Sequence, residues 1–130
     1  MARHYPVRIK TSPKVGNLYW CRFVPEEVIH LPEIWKTRPV VIISRKNNLR
    51  GKVVVLPLSS AQENEQNPFS LPVSARLSAL LGGRVSWVLC DHPLTVATSR
   101  LEYLERMPVR MDQEEFDRMI LLFRQSIAGG

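Results

Sequence analysis

Lys36-Thr37-Arg38-Pro39-Val40-Val41-Ile42-Ile43-Ser44, Val53-Val54-Val55-Leu56-Pro57-Leu58-Ser59-Ser60 and Trp87-Val88-Leu89-Cys90-Asp91-His92-Pro93-Leu94-Thr95-Val96-Ala97-Thr98-Ser99-Arg100-Leu101 are three segments that read together as one site. Each is an apolar, β-branched run with polar residues at one end. Val40–Ile43 and Val53–Leu56 are too short and too β-branched to favour a helix, so they read as buried strands. Strand ends are where a small fold can hold a guanidinium, two hydroxyls and a carboxylate rigidly. The candidate working residues are therefore Arg38, Ser59, Ser60 and Asp91.

Around these runs the chain reads as mainly β with flanking helices, an α+β arrangement in a single domain over residues 1–130. Leu18–Val24, rich in aromatic and β-branched residues, is a further strand. Pro25 to Thr37 is a long connection broken by Pro25 and Pro32; its Trp35 either plugs the core or stacks on a base. Arg45 to Lys52 is a turn carrying four cations, with Asn and Gly residues that permit positive φ. Ala61–Pro68 is a polar surface loop, and Arg76–Gly83 is a short helix or an expanded turn. Arg84–Cys90 and Thr95–Leu101 continue the sheet. Residues 1–14 form a basic arm, expected to be poorly ordered or to lie across a neighbouring subunit. The clearest helix is C-terminal. Asp112 and Glu115 have the spacing of a capping box. Phe116, Met119, Ile120, Phe123 and Ile127 follow as one apolar stripe, and Gly129-Gly130 ends it.

Lys and Arg outnumber Asp and Glu by 18 to 12, a net charge of +6 on 130 residues. That balance points to a polyanionic partner, either nucleic acid or an acidic protein. The 2 cysteines, Cys21 and Cys90, are too few for a disulfide framework or a four-ligand zinc site. No apolar run approaches the ~20 residues that span a bilayer, and Met1–Lys10 lacks the apolar stretch of a secretory signal. A cytoplasmic protein with no membrane partner is expected.

With Glu33 five positions before Arg38-Pro39, with Pro57-Leu58-Ser59-Ser60 ending a second strand, and with Cys90-Asp91-His92-Pro93-Leu94-Thr95-Val96 followed by Arg100-Leu101, the sequence resembles the PemK/MazF family of toxin–antitoxin ribonucleases. Order and spacing agree from about Gly16 to Leu101, and Phe69–Val73 resembles the family's Pro-Phe-x-Val strand entry. The resemblance implies an SH3-like small barrel with a C-terminal amphipathic helix. It further implies a homodimer that cuts single-stranded RNA and is neutralised by an acidic antitoxin.

Metal-free RNA cleavage by 2′-hydroxyl attack needs a base, an acid and donors that hold a charged phosphorane. Neither a metal nor an organic cofactor is expected, because the carboxylates are scattered and His30 and His92 lack ligand partners at standard spacing. Arg38 suits bidentate contact with phosphate, or else pairs with Glu33 or Asp91 to close the barrel end. Ser59 and Ser60 would donate hydrogen bonds to the phosphate, or serve as ordinary turn residues. Asp91 acts as a base or positions one if its environment raises its pKa toward working pH; otherwise it is a structural carboxylate bonded to nearby backbone N–H groups in the Asp91–Pro93 corner. Glu33 is the alternative base. Trp35, Arg45, Lys46, His92 and Arg100 are the candidate RNA contacts; His92 is also the residue most easily imagined as acid or base, but the family often has Gln there, so it reads as incidental.

Two departures from the family pattern stand out. Some members carry an Arg two positions before the Asp, and some a His before the loop Glu; here these positions are Leu89 and Pro32. Two rival readings remain: a non-catalytic binding toxin on the same barrel, like gyrase inhibitors, and a nucleic-acid-binding domain without catalysis.

Overall fold

The computed structural model describes residues 7–23, 37–45 and 51–127. The expected strands form β1 (Asn17–Arg22), β2 (Thr37–Ile42), β3 (Lys52–Ser59), β4 (Ser70–Pro72), β5 (Trp87–Leu89) and β6 (Leu94–Ala97); the Thr95–Leu101 run is broken by a 3-10 turn at Thr98–Arg100, after which β7 (Leu101–Tyr103) begins. A short β8 (Val109–Arg110) was not anticipated. Helix α1 (Ala75–Leu80) and helix α2 (Gln113–Ser126) complete the elements. All pairings are antiparallel, and the sheet runs β4-β5-β3-β2-β1-β7.

Two strands change partner partway along, and this curls the sheet into a half-barrel. One edge of β3 pairs with β6 from Lys52 to Val55, then with β5 at Leu58 and Ser59. Pro57, which has no N–H to donate, sits in the gap between those partners, where a ladder bond is least needed. Likewise β1 pairs with β8 at Asn17 and Leu18, and with β7 from Tyr19 to Cys21.

Both faces of this sheet are covered, which is why its strands read as continuous apolar runs. On one face Leu18, Val41, Leu56, Leu58, Val88 and Cys90 pack with Leu77 of α1 and Met119 of α2. On the other, Tyr19, Cys21, Val40, Ile42, Val53 and Val55 pack with Val96 and Leu101. Both cysteines are buried free thiols, and burial pushes each up to about 12, so they remain protonated. Gly16 joins strand and helix layers: its N–H donates to Ile42 O and its carbonyl accepts from Met111 N, both at 2.9 Å. Its φ of 89° suits a residue without Cβ.

Several sequence expectations are corrected. Residues 7–14 are not a loose arm, because Ile9 is buried in the second core layer, Lys10 N donates to Tyr103 Oη at 2.7 Å and Arg8 pairs with Glu102. The capping box does not form. Arg76 draws the Asp112 carboxylate to 3.2 Å, and Glu115 instead accepts from the backbone N–H of Ser74, the N-cap of α1, at 2.8 Å. Helix α2 is therefore latched to α1 rather than capped on itself. The apolar stripe holds through Phe116, Met119, Ile120 and Phe123. Ile127 falls outside it, at the C-cap and 44% exposed. The Arg84–Cys90 strand shortens to Trp87–Leu89, since β3 ends at Ser59 opposite Trp87 and offers nothing to pair with earlier residues. The open choice at Arg76–Gly83 resolves as a helix followed by two glycines of positive φ.

Among the described residues, no helix is long and apolar enough to cross a membrane.

Candidate functional site

Arg38 lies near the start of β2, paired across β1 with Cys21. The β2–β3 ladder begins at Val40↔Pro57, so two residues further along each strand stand Arg38 and Ser59. Side chains alternate, which puts both on the sheet face shared by Val40 and Pro57. Ser59 is in turn paired with Trp87 of β5. On that face of β5 the residues in order are Trp87, Leu89 and, just past the strand end, Asp91. The strand ends at Leu89, and a turn closed by the His92 N–H donating to Leu89 O at 3.1 Å carries Asp91. Arg38 with Ser59, and the Asp91 corner, are thus two stations at the ends of paired strands, with no hydrogen bond or ion pair between them among the described residues.

Arg38 is half-buried, and its Nε is fully shielded with no hydrogen-bond partner among the described residues. A shielded, unanswered guanidinium N–H is costly unless an acceptor arrives. Among those residues no ion pair or hydrogen bond joins Arg38 to Asp91. Ser59 is half-buried, and its Oγ accepts from Ala61 N at 3.2 Å, leaving its own hydroxyl hydrogen free to donate. Ser60 is exposed beside it.

At the other station, Asp91 is gripped from two sides. His92 Nδ1 lies 2.8 Å from its Oδ1, and Asn67 Nδ2 donates to Oδ2 at 3.2 Å. Asn67 is itself fixed, since its Oδ1 accepts from Phe69 N at 2.9 Å. Partial burial pulls the Asp91 pKa upward, but the bonds from His92 and Asn67 outweigh it and hold the carboxyl below the usual carboxylate range. The condition for Asp91 to be a strong base, a raised pKa, is not met. The backbone-bonded alternative is also only part of the account, because side chains supply most of the grip. Asn67 is the Asp91 partner that sequence reasoning missed. It sits 24 positions away, and only the 3-10 turn Gln62–Gln66 folding back onto β5 brings it home.

A folded-state pKa below the unfolded one means that ionised Asp91 stabilises the fold above the unfolded pKa. That contribution is lost as pH falls through the folded value. Wild type should therefore lose its urea-midpoint advantage over Asp91→Asn as pH drops below ~4, the ordinary aspartate range. A gap unchanged between neutral and acidic pH would contradict this.

Arg100 Nη1 donates to Arg22 O at 3.0 Å, which places its guanidinium at the open end of β1. Arg22 and Arg100 both act on the buried Cys21 thiol, whose backbone pairs with Arg38. Three arginines therefore gather at one end of the sheet, while the nearby Glu102 is shared by Arg8 and, at 3.7 Å, Arg22. His92 and Arg45 are exposed. Glu33, Trp35 and Lys46 lie outside the described residues. Leu89, where some family members carry Arg, is 7% exposed and serves as core. Among the described residues no three His, Cys, Asp or Glu side chains gather in a way that could hold a metal ion.

A curled antiparallel half-barrel closed by a C-terminal helix, with basic strand ends, defines the class of small toxin-like barrels. The family model of the PemK-like, MazF-like toxin of type II toxin–antitoxin systems matches residues 14–124, and the chain belongs to that family. Its fold is similar to MazF from Deinococcus radiodurans (TM-score 0.69, 22% identity, covering 89% of this chain and 96% of that one). It is also similar to an endoribonuclease in complex with its cognate antitoxin from a mycobacterial species (TM-score 0.59, 16% identity, 88% and 92% covered). A third similar structure is the Mycobacterium tuberculosis toxin MazF-mt6 (TM-score 0.59, 18% identity, 85% and 94% covered). No curated protein matches the chain.

Proposed function

We propose that this protein is a toxin endoribonuclease that cuts single-stranded RNA without a metal, by attack of the 2′-hydroxyl on the adjacent phosphorus. The observation that carries the reading is Arg38: a half-buried guanidinium whose shielded Nε has no acceptor among the described residues, level with Ser59. Nε itself is closed off, so a phosphate would meet the rest of the half-buried guanidinium. The planar fork suits an anion with two acceptor oxygens, and a fixed cation stabilises charge that develops on the phosphorane. Ser59 and Ser60 would donate to the same phosphate. Asp91, kept ionised, is a weak base and acts by holding its neighbours.

Arg100, Arg45 and His92 are proposed RNA contacts, joined by Lys46 and Trp35. An acidic, flexible antitoxin would cover the same cations and order on binding, and antitoxin complexes of the structural neighbours accord with such a partner. A cytoplasmic homodimer is the proposed working form.

The test is incubation of the purified protein with mixed-sequence single-stranded RNA in excess EDTA. Discrete cleavage is expected, and the antitoxin should suppress it. RNA binding without cleavage would favour a non-catalytic binding module.

A further inference from the structure

Of the two carboxylates considered as bases, Asp91 is held ionised by its partners and Glu33 lies outside the described residues. The geometry at the Asp91 corner points instead to the residue beside it. An ionised carboxylate can only accept, so the 2.8 Å contact from His92 Nδ1 to Asp91 Oδ1 places the proton on Nδ1. In the neutral imidazole the other ring nitrogen, Nε2, then carries a lone pair. The imidazole is about half exposed, with a side-chain exposure of 49%, whereas Asp91 is at 28%. The carboxylate does not swing freely either, because Asn67 clamps it at 3.2 Å and is itself bonded to Phe69 N. A chain Phe69 N–H, Asn67, Asp91, His92 thus orients a solvent-facing nitrogen from a rigid support, as in a nucleophile-activating triad.

We propose that His92 is the general base of RNA cleavage, with Asp91 and Asn67 as its positioning residues. The inference rests on the nuclease reading above. In the step, His92 Nε2 accepts the 2′-hydroxyl proton as the 2′-oxygen forms its bond to phosphorus. The bond from phosphorus to the 5′-oxygen breaks, and that oxygen takes a proton from water. The products are a 2′,3′-cyclic phosphate and a 5′-hydroxyl. The imidazolium then returns its proton to hydroxide or water, so that no net proton is consumed. The charged groups around His92 are few. Asp91 is its one ion-pair partner among the described residues. The 3-10 turn packed on β5 carries Glu63 and Glu65. Helix α2, which reaches Cys90 O through Ser126 Oγ at 3.4 Å, carries Arg124 in its last turn.

The experiment measures kcat/KM against pH on a short single-stranded RNA in EDTA for wild type, His92→Gln, His92→Ala and Asp91→Asn. Wild type should show one ionisation on the acid limb, with activity falling as the base is protonated. His92→Gln, at an exposed position where circular dichroism should show the fold retained, should lose ~100-fold or more, and its profile should lose that ionisation. Imidazole added to His92→Ala should restore rate in proportion to the free-base concentration. Asp91→Asn should keep RNA affinity and lower kcat. A His92→Gln enzyme within threefold of wild type, or one that keeps the acid limb, overturns the assignment while leaving the nuclease reading intact. A wild type that cleaves nothing overturns both.

Discussion

Arg38→Ala is expected to lower the RNA cleavage rate by at least ~100-fold, the scale seen when a principal stabiliser of developing charge is removed. The fold should be retained. Arg38 lies at the strand end, its Nε answers to no acceptor among the described residues, and the sheet around it is held by backbone pairs to Cys21 and by the core beyond Val40. Among the described residues the Arg38 side chain makes no hydrogen bond or ion pair whose loss would cost stability. Thermal unfolding of Arg38→Ala should therefore match wild type. Arg38→Lys, which keeps the charge and loses the planar fork, should fall between the two in rate. Activity within tenfold of wild type in the alanine variant, or a collapse of stability, would place Arg38 in the scaffold instead.

The second large effect concerns the helix that closes the sheet. Met119 is fully buried, in one cluster with Leu18, Val41, Leu56 and Val88. Met119→Ala should cost ~2–5 kcal/mol through lost burial and the cavity left behind, a large fraction of the ~5–15 kcal/mol typical of a domain. Leu121 on the same helix is 55% exposed, and Leu121→Ala should stay within ~0.5 kcal/mol of wild type. Urea unfolding of both variants checks this. Equal losses at the two positions would mean that α2 does not dock through the Met119 face.

How far the sequence revealed this molecule depended on the range of each interaction. The strands at Val40–Ile42 and Val53–Leu56 were legible because both sheet faces are covered, which leaves unbroken β-branched runs. Helix α2 was legible through its 3.6-residue apolar stripe. Its N-terminus was misread because Asp112 and Glu115 have the spacing of a self-contained cap. The partners that won them, Arg76 and the Ser74 amide, come from more than 30 residues away. The N-terminal arm was misread for a similar reason. It was expected to be poorly ordered or to lie across a neighbouring subunit, yet Ile9 and the Tyr103 hydroxyl hold residues 7–14.

The site divides along the same line. Arg38, Ser59 and Asp91 were identified from strand-end chemistry and family spacing. The Asn67 clamp was invisible, because nothing in Asn64-Glu65-Gln66-Asn67 marks it as facing a carboxylate 24 residues later. The lowered Asp91 pKa follows from that clamp and from the adjacent imidazole, so its weakness as a base could not be read beforehand.

Identification of the product ends tests the central claim most directly. Single-stranded RNA cut by wild type in excess EDTA should carry a 5′-hydroxyl on one fragment and a 2′,3′-cyclic phosphate, or the 3′-phosphate formed from it, on the other. Fragments bearing a 5′-phosphate, or cleavage that appears only when Mg²⁺ is restored, would contradict metal-free attack by the 2′-hydroxyl at the Arg38 station.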